Sequence, residues 1–197
     1  MLQRLELFWN TYFDFHYGMA VVIGILLFAV CAAGLFFFRK KQGGHAEVRE
    51  VGILVLFCVY LTFLFGVTLL NRRPEESYSM ELMPLWSYQE SILNGNVSLG
   101  EQIIYNIAAF FPFGIFLPVL IRKMQKLWRS AAAAAVLSAF IELTQLIFKC
   151  GLCELDDVIN NTLGAAIGYG IWKGVSTAVN ILRKSNLRED TKTSRQY

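Results

Sequence analysis

Apolar positions in this chain come in long runs rather than in alternating or one-faced patterns. Tyr17 to Phe38, Val48 to Leu70, Ile103 to Ile121 and Ala131 to Phe148 carry little charge, and a fifth run, Asn161 to Leu182, is broken only by Lys173 and several glycines. About 20 such residues, wound as a helix, cross a hydrocarbon core roughly 30 Å thick while satisfying their own backbone polar groups. The pattern therefore predicts an all-α integral membrane protein with about five transmembrane helices. The first run is too long for a signal peptide's apolar region and follows Glu6 and Asp14 rather than a basic stretch, so it is expected to remain as a helix. Before it, Phe8, Trp9, Tyr12, Phe13, Phe15, His16 and Tyr17 form an aromatic cluster suited to a membrane interface.

Between the second and third runs, Pro74, Pro84 and the Asn94-Gly95 pair cut residues 71–102 into short pieces. Leu85, Trp86, Tyr88, Ile92 and Leu93 predict a short interfacial helix there. Pro112 with Gly114 is expected to bend the third helix, because proline removes a backbone donor and crowds the preceding turn. The chain divides into an N-terminal segment with the first helix and a basic loop (1–50), a transmembrane domain (51–182) and a basic tail (183–197).

Composition supports the same class: 55% hydrophobic against 17% charged residues, with a mean hydropathy of +0.46, is foreign to an ordinary soluble domain. Charge sets the expected orientation. Segments 39–50 and 122–130 and the tail hold thirteen lysines and arginines, whereas the alternate segments hold Arg4, Arg72, Arg73 and Lys149. The positive-inside rule then places the N-terminus outside and the C-terminus inside. Topology accounts for the basic residues, so the net charge of +3 predicts no nucleic-acid partner.

Candidate chemistry gathers toward the outer side. Ser138, Glu142, Gln145 and Lys149 share one stripe of the fourth helix, and Asp157, Asn161, Gly164 and Gly168 one stripe of the fifth. The GxxxG spacing of Gly164 and Gly168 permits close helix approach, with Ala131, Ala134, Ala135 and Ser138 of the fourth helix as the expected partner surface. Packed as a hairpin, the two helices bring Glu142, Gln145, Asp157 and Asn161 to the depth of Asn106. A charged side chain in a membrane span is costly, so this set is expected to line a polar pocket. Three uses remain open: a hydrogen-bonded packing network with Asp156 or Asp157 capping the fifth helix, a lipid or substrate site, and acid–base chemistry or a divalent cation held by Glu142, Glu154, Asp156 and Asp157. Arg72 and Arg73 suit an anionic lipid phosphate or, alternatively, pairing with Glu75 and Glu76. Cys31 and Cys58 read as buried hydrophobes, and Cys150 and Cys153 as a short disulfide or a reduced pair. No metal or organic cofactor is predicted.

The stretches ELMPLWSY (81–88), NIAAFFPFGIFLP (106–118), IELTQ (141–145) and ELDDVINNTLGAAIGY (154–169), in this order, resemble the VanZ-like family of bacterial membrane proteins over about residues 55 to 175. The resemblance implies a multi-pass protein of the bacterial cell membrane that lowers susceptibility to teicoplanin, a lipoglycopeptide acting outside the membrane at lipid-linked cell-wall precursors. It also implies membrane lipids, and the antibiotic or such a precursor, as partners. The residues carried over are Asn106, Pro112, Gly114, Glu142, Gln145, Asp156, Asp157, Asn161 and Gly164. Family members often have an arginine shortly before the acidic pair, a place held here by Lys149. A non-catalytic envelope factor is preferred; the alternative is an intramembrane enzyme modifying an envelope lipid through Glu142 and Asp157.

Overall fold

Leucine, phenylalanine and valine dominate the apolar runs, and in the computed structural model, which describes residues 48–70 and 78–193 with residues 29, 32 and 33, the second to fifth of those runs are helical. Helix α1 spans Val48–Phe65 and continues through one π-helical turn, Gly66–Leu70. A two-residue strand β1 (Met80–Glu81) leads to helix α2 (Trp86–Leu93). Helix α3 runs from Val97 to Leu120, and α4 from Leu127 to Phe148. Strand β2 (Cys153–Glu154) precedes α5, Leu155–Thr193.

Local signals explain most of the boundaries. Gly95 takes a positive φ of 67° in the turn after α2, and the Asn96 side chain then caps α3 by accepting from the Leu99 amide at 3.4 Å. At the other end of α4, Lys149 adopts the left-handed conformation, and the Cys150 amide closes the helix on the Gln145 carbonyl at 2.9 Å. Lys149 thus leaves the stripe shared with Glu142, and its ammonium sits 4.5 Å from the ring centre of Tyr78.

Three helices are long and apolar enough to cross a membrane among the described residues: Glu50–Leu69, Val97–Leu120 and Leu127–Phe148. The expected fifth crossing lies inside α5, which extends to Thr193 rather than ending at Leu182. With 39 residues, α5 is about 58 Å long at 1.5 Å per residue. The expected first helix, Tyr17 to Phe38, lies outside the described residues but for positions 29, 32 and 33.

The core centres on α3. Phe110, Phe113 and Leu117 meet Phe57, Leu61 and Leu64 of α1, Ala134 and Ile141 of α4, and Ala165 of α5. Phe57 packs 6.0 Å from Phe113 and 5.7 Å from Phe116, centre to centre. Pro112 and Pro118 both lie inside α3, and the Tyr60 hydroxyl donates to the Ala109 carbonyl at 2.7 Å, on the turn that Pro112 weakens.

Small residues pack differently from the sequence expectation. Gly164 lies against the Ile107 carbonyl, Gly168 against the Phe111 carbonyl, and Gly114 against Ala165 and the Tyr169 amide. The GxxxG face of α5 thus meets α3, not the alanine run of α4. The physical reason is that α3 supplies its own glycine, Gly114, so two backbones approach from both sides.

The loop structure also departs from an all-helical expectation. β1 and β2 pair in parallel, Met80 opposite Cys153 and Glu81 opposite Glu154, and the Cys153 amide donates to the Ser79 carbonyl at 3.0 Å. Two-residue strands leave no periodicity to detect.

Candidate functional site

Successive residues on a helix point about 100° apart, so Asp156 and Asp157 cannot serve the same neighbour. Asp156 turns toward α2. One oxygen accepts from the Leu85 amide at 2.6 Å, and the other from the Ser87 amide at 2.8 Å and the Ser87 hydroxyl at 2.6 Å. Leu85, the residue before α2, has a positive φ of 64° and gives that helix no side-chain cap. A carboxylate from α5 does the capping instead, placing negative charge at the positive end of a helix dipole. The expectation that Asp156 or Asp157 caps the fifth helix is therefore corrected for Asp156: it caps α2 from across the fold. One turn further along α5, Asn160 accepts from the Tyr88 hydroxyl, which reinforces the same junction.

Asp157 faces α3. Its Oδ1 accepts from Asn106 at 2.6 Å and from Gln102 at 3.2 Å, and the Gln102 amide also reaches Glu154 Oε1 at 3.0 Å. Gln102 and Asn106 stand four residues apart on α3, one helical turn, which lets two amides grip one carboxylate. Glu142, on α4, accepts from the Glu154 amide at 3.0 Å. Glu142, Glu154, Asp156 and Asp157 are all at least 95% buried.

The remaining residues of the expected pocket join the network by other partners. Asn161 donates to Ser138 at 2.8 Å, tying α5 to α4. Gln145 donates to the Thr68 carbonyl at 2.9 Å, in the π turn that ends α1. Asn106, Glu142, Gln145, Asp157 and Asn161 thus lie in one polar layer, but Gln145 is directed to α1 and Asp156 to α2. Arg72 and Arg73 lie outside the described residues.

Sequence reasoning missed Ser87, Tyr88, Gln102 and Asn160, and weighed Glu154 only as a cation ligand. Signals for two were present: Gln102 stands one turn from Asn106, and Asn160 one turn from Asp156. Ser87 carried none, because its partner is 69 residues away. The side-chain oxygens of Gln145 and Asn161 are buried without a hydrogen-bond partner among the described residues, as is the amide nitrogen of Asn160.

Electrostatics weigh against a nucleophilic thiol. Cys150 and Cys153 are buried free thiols. Burial pushes the Cys153 thiol pKa up, and the nearby carboxylates of Glu142, Asp157 and Glu154 push it further. A thiol in that setting stays protonated and is a poor nucleophile. Burial, then the charge of Asp156, likewise raises the pKa of the Tyr88 hydroxyl and keeps it a donor. Among the described residues, no group of three or more His, Cys, Asp or Glu side chains could hold a metal ion.

A family model described as VanZ/LLP1 matches residues 25–179. Protein VanZ of Enterococcus faecium is 29% identical over 133 residues, which cover 64% of this chain and 74% of that protein. No solved structure matches the chain.

Proposed function

This chain belongs to the VanZ/LLP1 family, and on that premise we propose that it lowers susceptibility to teicoplanin-type lipoglycopeptides, acting at the outer face of a bacterial cell membrane on the antibiotic or on cell-wall lipids. The similarity to Protein VanZ supports the antibiotic class. The observation that carries the site is the buried acidic layer of Glu142, Glu154, Asp156 and Asp157, whose carboxylates accept from amide and hydroxyl donors of α2, α3 and the β2 segment. Carboxylates so engaged hold the loops of one bundle end in a fixed shape, which suits recognition better than proton transfer. The competing reading is an enzyme that modifies an envelope lipid through Glu142 and Asp157. In its favour is the link between the two side chains through Glu154 and Gln102.

Orientation is part of the proposal. The thirteen basic residues assigned to the inner side support a topology with α2 and the acidic layer on the outer side. With native cysteines removed, a single cysteine at the exposed position Ser98 should react with an impermeant maleimide on intact cells, and one at exposed Lys123 should not. The reverse pattern inverts the topology and removes the outer-face assignment.

The functional test is protection. Glu142→Gln keeps the shape and an acceptor oxygen while removing the charge. Cells carrying a folded Glu142→Gln variant are expected to be as sensitive to teicoplanin as cells lacking the protein, whereas Leu143→Ala, at an exposed position of α4, should still protect. No protection by the wild-type chain would end the antibiotic assignment, and full protection by Glu142→Gln would leave that carboxylate a packing residue. A lipid species that appears only with the wild-type chain would favour the enzyme.

A further inference from the structure

A groove of about 610 Å³ lies on a different face of α4 from the acidic layer. Trp128, Val136 and Phe140 stand along it, with the small side chains of Ala132 and Ala133 between them. Those three large side chains are more than half exposed. Among the described residues one charged group lines the groove, Arg129, and it is held in place: its guanidinium lies 5.1 Å from the centre of the Trp128 ring and donates to the Lys123 carbonyl at 3.0 Å. Around it, residues 122–129 read RKMQKLWR, four cations with no acid.

Charge selects the occupant. The exposed apolar stripe of α4 continues past Phe140 to Ile147, so its length alone names no partner. Its Trp128 end, however, carries four cations and no acid within residues 122–129, with a tryptophan of the interfacial type beside them, and an apolar track that ends in such a cluster is complementary to the acyl chain and headgroup of an anionic lipid.

We propose that this groove binds one anionic glycerophospholipid, its acyl chain lying along Ala132 to Phe140 and its phosphate diester held by Arg129 and Lys126. A planar guanidinium already fixed by a carbonyl and an aromatic ring meets phosphate oxygens with little further ordering. The site is independent of the teicoplanin reading and of which leaflet the α3–α4 loop faces.

The test uses the full chain with Trp9, Trp86 and Trp172 replaced by phenylalanine, so that Trp128 alone reports. The chain is reconstituted in phosphatidylcholine vesicles doped with brominated phosphatidylglycerol or with brominated phosphatidylcholine, and quenching of Trp128 is followed. Two basic residues, each contributing about fivefold near a membrane surface, should give an approximately 25-fold preference for the anionic lipid. Lys126→Gln and Arg129→Gln should each reduce the preference to about fivefold. Lys126 is exposed, so its variant keeps the test valid if loss of the Arg129 bond disturbs the loop. Equal quenching by the two lipids means ordinary bilayer contact and overturns the proposal. Absence of quenching by either means that protein, such as residues 17–38 of the same chain, fills the groove, and overturns it equally.

Discussion

Gly114→Ala and Gly164→Ala should each loosen the bundle, whereas Gly170→Ala and Gly174→Ala should be neutral or mildly stabilising. A methyl group on Gly114 would overlap the Ala165 carbonyl and crowd the Tyr169 amide; on Gly164 it would overlap the Ile107 carbonyl. Backbone cannot rotate away as a side chain can, so α3 and α5 must separate along their shared length. Overpacking of this kind costs about 1 to 3 kcal/mol, and these sites belong at or above the upper end because both obstacles are main chain. Gly170 and Gly174, on the same helix, meet nothing within 4 Å, and alanine is favoured over glycine in a helix by roughly 0.5 to 1 kcal/mol. Unfolding in mixed micelles of rising sodium dodecyl sulfate content, followed by circular dichroism, separates the two classes. Equal midpoints for Gly164→Ala and Gly170→Ala would contradict the α3–α5 contact.

Asp156→Ala should release α2 from the bundle end while leaving the long helices in place. The substitution removes three hydrogen bonds at once and orphans the amides of Leu85 and Ser87, the latter 98% buried. A buried unsatisfied donor costs about 1 to 3 kcal/mol, which applies to the Ser87 amide; Leu85 is half exposed, so water can take up its amide at a smaller cost. The left-handed conformation of Leu85, costing about 1 to 2 kcal/mol for a residue other than glycine, then loses the contact that holds it. Asp156→Asn keeps one acceptor oxygen and should fall between wild type and alanine. Amide hydrogen exchange is the direct measurement: residues 85–93 should exchange faster in the alanine variant, with α3 and α4 unchanged. Unaltered protection across 85–93 would show that Asp156 does not hold α2.

Much of the architecture was legible because burial in hydrocarbon demands long apolar helices, and such runs stand out in any chain. The C-terminal end of α2 follows from Asn94-Gly95, since turn chemistry is local, whereas α3 begins at Val97, ahead of the apolar run from Ile103, where Asn96 caps it. Stripes on α4 and α5 identified Glu142, Gln145, Asp157 and Asn161 for the same reason: a helical period of 3.6 places them on one face whatever surrounds the helix.

What lay beyond the sequence was the choice of partner. Helix periodicity shows which residues share a face but not which helix that face meets, and so the glycines of α5 suggested α4 when Gly114 of α3 is their counterpart. The same gap hid the role of Asp156, which binds residues 69 and 71 positions away, and the β1–β2 pair, which closes a loop between segments more than 70 residues apart. By itself the sequence determined the apolar helices and their polar faces, because these depend on neighbours within a turn or two. Only the tertiary structure decided that Asp156 caps α2 while Asp157 meets Asn106 and Gln102 on α3, because two carboxylates adjacent in sequence but about 100° apart on a helix are sorted by whatever donors the packed chain places before each.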